Sequence, residues 1–237
     1  MFFYLLSNPM TMLIAAAAVP AVLLLVYVYK IDRLEHEPPG LIIGLVLLGM
    51  LATIIALVLE TAGVRFISAY FGDAFAYRLL FYYIVVACSE EGAKYLLMRF
   101  KTWNSSAFNC QFDGVVYAVS VSLGFALLEN IMYVLQYGMA TAVVRAFTAV
   151  PGHACFGVFM GAWYGHAKRF SSYGRRGAAA LCRVMAFVLP MFVHGSYDYI
   201  ATMGNNDLTL LFLVFVIVLF VIAFFMVRKL SKTDRYI

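Results

Sequence analysis

The residues of this chain able to do chemistry sit in its most apolar stretches: Glu90, Glu91 and Lys94 in SEEGAK, Glu129 in FALLEN, His153 in AVPGHACFG, and His194 with Asp198 in VHGSYDY. An ionised side chain near the middle of a bilayer costs about 2.5 to 3.5 kcal/mol even on lenient insertion scales, so such groups face a polar interior and act there. Glu90 and Lys94 are four apart, share a helix face and can pair, while Glu91 lies about 100° round the helix and points elsewhere. That leaves one surplus carboxylate, placed to serve as a general base for activating water. The bland alternative is a Glu-Lys pair that holds two helices together.

Each remaining candidate has a bland reading beside its chemical one. Glu129 follows Phe125 by four residues and could be a helix–helix hydrogen-bond partner. Pro151 and Gly152 loosen the backbone before His153, as beside many membrane cavities, yet a lone membrane histidine often plays a structural part. His194 and Asp198 are four apart on one helix face. There they can grip a divalent ion, as the paired histidines of HExxH helices do, or Asp198 merely orients the imidazole. His166, near a span end, is read as structural.

The elements that position these groups follow from composition. At 65% hydrophobic and 12% charged residues, with a mean hydropathy of +0.91, the chain has too little polar surface for a water-soluble globule of 237 residues. It reads as an all-α polytopic transmembrane bundle, one domain over 1–237. About seven spans (six to eight) are expected: Met10 to Tyr29, Leu41 to Leu59, Leu79 to Met98, Val115 to Tyr137, Ala146 to Gly165, Ala178 to Thr202 and Leu208 to Val227. Acids and Lys94 interrupt the third, and Glu60 to Arg78 could form a surface helix. Met1 to Pro9 carries no Lys or Arg, so the first segment reads as a retained anchor rather than a cleaved signal.

Lys30, Arg33, Arg99, Lys101, Lys168, Arg169, Arg175, Arg176, Arg228, Lys229, Lys232 and Arg235 fall on one side of this topology, and only Arg65, Arg78 and Arg145 on the other. The positive-inside rule then puts the amino terminus outside and the basic tail in the cytoplasm. The net charge of +5 is explained by loops beside an anionic leaflet, and no motif suggests nucleic-acid binding. The four cysteines show no CxxC spacing and suggest neither disulfides nor a cysteine metal site. Gly44, Gly49, Gly157, Gly161 and Gly165, at small-residue spacing, read as helix-packing positions. No internal repeat or low-complexity linker divides the chain.

Counted along the spans at 1.5 Å per residue, Glu129, His153 and His194 come out within roughly a turn of one another near mid-bilayer. The acidic pair falls about a turn or two nearer the cytoplasm. One shared cavity is therefore expected.

Taken in order, the loop DRLEHEPPG, EEGAK, DGVVYAVSVSLGFALLEN, RAFTAVPGH and HGSYD resemble the PrsW family of intramembrane proteases, over almost the whole chain. That family is distantly related to CAAX-type prenyl endopeptidases and bacteriocin-processing proteins, with patterns EExxxR, FxxxH and HxxxN. Glu90, Glu91 and Lys94 stand for the first, Phe125 and Glu129 for the second, and His194 with Asp198 for the third. Lys94 stands one place before the relatives' arginine, Glu129 replaces a histidine, and His153 is positioned to supply the missing imidazole. The resemblance implies a bacterial or archaeal cytoplasmic-membrane enzyme that cuts in or near a membrane segment, with a single-span anti-sigma factor as the substrate in the best-known member.

Two chemistries are expected under that resemblance. In one, Zn²⁺ or a similar ion is held by His153, His194 and either Glu129 or Asp198, with Glu90 or Glu91 as base. In the other, a glutamate and a histidine polarise water without an ion. Outside the resemblance, a proton- or ion-coupled transporter or channel would bury the same groups, and a non-catalytic scaffold would use them only to lock helices together.

Overall fold

The computed structural model describes residues 8–72, 74–203 and 206–237. Among them the chain forms seven helices: α1 (Pro9–Ile31), α2 (Pro39–Tyr70), α3 (74–102), α4 (Asp113–Tyr137), α5 (Met139–Ser172), α6 (Arg176–Ala201) and α7 (Asn206–Lys232). This is the helical membrane bundle expected from the sequence. All but α3 are long and apolar enough to cross a membrane. At about 1.5 Å per residue α3 is also long enough, about 43 Å, but Glu90, Glu91 and Lys94 break its apolar run. Of the lead-in argued to be uncleaved, Met1–Ser7 lies outside the described residues.

Local sequence sets the helix ends. Asn8 accepts from the Met10 amide at 2.9 Å and Pro9 opens α1, so one orphan donor is capped and another is absent. Gly138 and Gly174, with φ of 82° and 70°, turn the chain between α4 and α5 and between α5 and α6 in a region that other residues avoid.

Two expectations about these elements are corrected. Glu60 to Tyr70 is not part of a separate surface helix: α2 runs unbroken to Tyr70, because nothing between Leu59 and Ser68 breaks the helix. Nor do Pro151 and Gly152 loosen the backbone at His153. The break in α5 is a turn earlier, at Thr148 (φ −123°, ψ −71°), and Pro151 sits in the first turn of Ala149–Ser172, where its missing N–H is harmless.

The bundle is built around α4 and α5. In their most apolar windows 72% and 61% of residues are buried, against 17% for α1 and 22% for α7, whose large apolar side chains face outward. Glycines permit the close approach. A Cβ on Gly124 would lie 2.1 Å from the Val46 carbonyl oxygen, and one on Gly161 2.4 Å from that of Gly114. Gly49, Gly157 and Gly165 meet backbone in the same way, but Gly44 has nothing within 4 Å and is not a packing position.

Loops gather the helix ends at two poles. At one, Ser231 donates to the Ile31 carbonyl, Lys168 to the Trp103 carbonyl at 2.7 Å, and Asp234 accepts from the Phe112 amide at 2.8 Å. At the other, Gly138 turns α4 into α5, and within the bundle Asn130 of α4 donates to the Ala17 carbonyl of α1 at 2.9 Å.

Candidate active site

The polar side chains of four helices meet inside this bundle. Glu90 and Glu91 stand on α3 just after Leu80–Ala87, which is wound as a π-helix, a local widening that recurs at functional sites. This segment packs tightly on α6: a Cβ on Gly195 would come within 2.6 Å of the Tyr83 ring, and Tyr83 and Ser196 hydroxyls lie 2.9 Å apart. The contact fixes α3 against the helix turn that carries His194.

Lys94 does not pair with Glu90 alone. Its ammonium lies 2.7 Å from Glu91 Oε1, 3.1 Å from Glu90 Oε2 and 3.3 Å from His153 Nδ1, and 3.8 Å from the centre of the Phe125 ring. Glu91 thus turns inward with Glu90, contrary to the helical-wheel expectation, because the long lysine side chain reaches residues both three and four positions back. The ammonium has no lone pair, so His153 Nδ1 must accept. The proton of that neutral ring therefore sits on Nε2, which donates to Glu129 Oε2 at 2.9 Å. Arg145 holds the same carboxylate oxygen at 2.6 Å and Asn130 Oδ1 at 2.9 Å.

His194 is gripped from both sides. Nδ1 lies 2.9 Å from Glu91 Oε1, and Nε2 lies 3.3 Å from Asp198 Oδ2 and 3.9 Å from Glu90 Oε2. Its ring stacks on Phe156 at 4.6 Å between centroids. The separation in depth that counting assigned to the acidic pair is closed by side-chain reach. All seven residues singled out in the sequence meet in one network.

One donor atom from each of Glu90, Glu91, His153 and His194 lies within 4.8 Å of every other, all four residues being buried. Glu91 Oε2 is buried without a hydrogen-bond partner. Two carboxylates and two imidazoles are donor types that ligate a divalent ion, and in this arrangement the Lys94 ammonium supplies the positive charge among them in an ion's place. Glu129 and Asp198 stand behind the histidines, in the place of outer carboxylates that orient ligating rings.

Beside the cluster is a cavity of about 350 Å³ whose walls include Glu90, Glu129, His153, His194, Asp198 and Arg145. Glu60 of α2 lines it as well. Sequence reading missed two participants, Glu60 and Arg145, taking both as residues of connecting segments. The available signal was Arg145 itself, one of only three basic residues on the sparsely charged side.

Residues 37–227 match the family model described as PrsW family intramembrane metalloprotease. The chain belongs to the PrsW family. The match begins in the loop before α2, ends within α7 and contains every residue of the network. Among curated PrsW relatives, Protease PrsW of Oceanobacillus iheyensis is 34% identical over 94% of this chain and 98% of the relative. Those of Geobacillus kaustophilus and Bacillus subtilis are 37% and 33% identical, over 79% and 82% of this chain and 79% and 84% of the relatives. No solved structure matches. As a PrsW intramembrane protease the chain is a multi-pass membrane enzyme that acts on a membrane-protein substrate. Family membership also favours peptide hydrolysis over ion-coupled transport, which buried charges alone had left level.

Proposed function

We propose that the chain hydrolyses a peptide bond in or near the membrane segment of a single-span regulator, such as an anti-sigma factor, with Glu90 as the general base. The carrying observation is the convergence of Glu90, Glu91, His153 and His194 beside a cavity between the helices whose wall includes Glu90, His153 and His194. Of the two adjacent acids, Glu90 lines the cavity, whereas Glu91 is fully buried behind it between Lys94 and His194. Glu90 can therefore take a proton from water, and Glu91 positions the cluster.

Glu91, His153 and His194 would hold a divalent ion, Zn²⁺ by the mix of imidazole and carboxylate donors, once the Lys94 ammonium gives up His153 Nδ1, and Glu90 would stay free as the base. When bound, such an ion supplies Lewis-acid polarisation of a carbonyl and of water. Glu129, anchored by Arg145, fixes the His153 tautomer so that the Nδ1 lone pair faces the cluster. Asp198 holds the His194 ring through Nε2, and Glu90, once it has taken the proton from water, can pass it to the leaving amine. Lys94 balances the two carboxylates, which would otherwise be uncompensated in a low-dielectric interior. A substrate helix must unwind locally to present its carbonyl, and the cavity walls offer Tyr82, Tyr133 and Tyr197 as partners for freed backbone groups.

The cavity-lining residues Glu60, Met132, Arg145, Ala201 and Thr202 lie towards the pole opposite the basic loops. With the basic pole in the cytoplasm, water and substrate enter from the outer half of the membrane. The test is co-expression with a tagged single-span substrate. Glu90→Gln and His194→Ala should accumulate uncut substrate at normal enzyme level, and cutting that persists in both variants would defeat the proposal.

A further inference from the structure

The cavity beside the cluster extends beyond it, towards the pole opposite the basic loops. Helix α2 lines it with Thr53, Leu57 and Glu60, spaced i, i+4 and i+7 along one helix face. Thr53 is level with the cluster, because its hydroxyl lies 3.3 Å from the Phe125 carbonyl and the Phe125 ring centre lies 3.8 Å from the Lys94 ammonium. Glu60, seven residues further along α2, therefore stands about 10 Å beyond the cluster in that direction.

The fixed cations of this site are already engaged. Arg145 is held by the Glu129 carboxylate at 2.6 Å and by Asn130, and lies over the Tyr133 ring, 4.0 Å from its centre. Lys94 is held between Glu90 and Glu91, and Asp198 faces His194. Glu60 lines the same wall, half-buried, and has no partner among the described ion pairs. The hydroxyl next to it in sequence, that of Thr61, donates to the Leu57 carbonyl instead. A cavity-facing carboxylate without a protein cation is complementary to a cation brought in by whatever occupies the cavity.

We infer that Glu60 is the binding group of a substrate subsite for a Lys or Arg side chain about three residues outward of the cut bond, so that the enzyme selects regulators with a basic residue there. The inference rests on the reading of the chain as a protease with Glu90 as base. Its spacing follows from chain geometry. A peptide unwound to present its carbonyl beside Glu90 advances about 3.3 Å per residue, so about 10 Å of cavity corresponds to about three residues. The long apolar stem of Lys or Arg can lie along Leu57 and Phe81 while its charged head meets the carboxylate. An acidic side chain at that position would face Glu60, Glu90 and Glu129 on one wall and is rejected by like charge.

The test uses the full-length enzyme, co-expressed with a tagged single-span substrate in which each residue just outward of the cut bond is replaced in turn by Lys or by Glu. The quantity read is the ratio of Lys-form to Glu-form cleavage within each enzyme, which cancels differences in enzyme level. Wild type should give a ratio of at least about ten at one position, about two to four residues from the cut, Glu60→Gln a ratio near one there, and Glu60→Lys a ratio below one. A ratio that is the same in wild type and Glu60→Gln, or that peaks elsewhere, overturns the subsite. Binding is read separately in Glu90→Gln, as substrate that co-purifies with the enzyme in detergent. The Lys form should be retained at least about fivefold over the Glu form at low salt, and the difference should vanish in high salt and on adding Glu60→Gln. Retention indifferent to the charge at Glu60 overturns the subsite whether or not cutting is seen. Cutting that persists in Glu90→Gln with the Lys preference intact removes the base and supports the subsite, so the two readings fail separately.

Discussion

At the scale of single residues, the adjacent glutamates divide the labour. Glu90→Gln keeps the shape and one acceptor for Lys94 but removes the cavity-facing base, so cleavage should fall by about 10² to 10⁴-fold with little change in the thermal midpoint. Glu91→Gln instead breaks a fully buried contact with Lys94 and His194. It should cost about 3 to 5 kcal/mol of stability, read as a lowered midpoint or protein level in the membrane. Arg145 acts through another residue: removing it frees the Glu129 carboxylate that holds the His153 ring. Arg145→Ala should lower cleavage about ten- to a hundredfold, the usual cost of losing outer support for a ligating histidine, and Arg145→Lys should recover part of it. A merely structural role for Arg145 would make both variants equally unstable and give no such recovery.

At the scale of elements, the α4 seams with α2 and α5 depend on glycine. Gly124→Ala would drive a Cβ into the Val46 backbone, which cannot yield as a side-chain tip can, so the substitution should destabilise by about 1 to 3 kcal/mol. Gly44→Ala, with open space around its Cβ position, should be neutral in the same unfolding assay. The α1–α2 loop gives a pH prediction. Burial and then the Asp234 charge raise the Asp32 carboxyl from 3.8 to about 6, and burial raises Glu37 from 4.5 to about 7. The groups facing them are Asp234, Glu35, His36, Asp113 and Tyr117. Both carboxyls bind protons more tightly folded than unfolded. Their contribution to stability is therefore fully present below about pH 4 and is lost as pH rises through 6 and 7. In a pH series of thermal unfolding the midpoint should decline across that window, and Asp32→Asn should flatten the decline.

At the scale of the whole molecule, the two poles are chemically unlike. Basic side chains crowd the end that holds the tail, while the cavity with its acids and histidines lies towards the other. With the basic end in the cytoplasm, a cysteine placed at Gly174 should react with membrane-impermeant thiol reagents only after the inner face is exposed. A cysteine at Gly138 should react in intact cells. The opposite pattern would invert the bundle and move the water entrance to the cytoplasmic half.

Much of this enzyme was legible in its sequence because the bilayer imposes a simple rule: apolar runs of sufficient length become helices, since every backbone group must be bonded within its own segment. That rule gave the seven helices. The rarity of charge in such runs singled out Glu90, Glu91, Lys94, Glu129, His153, His194 and Asp198, and their order along the chain gave the family. What escaped the sequence was geometry that depends on neighbouring helices. The inward turn of Glu91 follows from the reach of Lys94, and the place of Arg145 from the break at Thr148. Glu60 enters the cavity wall because α2 continues past the length a span needs. The separation into residues that converge, Glu90, Glu91, His153 and His194, and residues that stand behind them, Glu129 and Asp198, was decided only by tertiary structure. Spacing along one helix fixes which side chains share a face, but distances between atoms on different helices are set by how closely glycine seams let those helices approach.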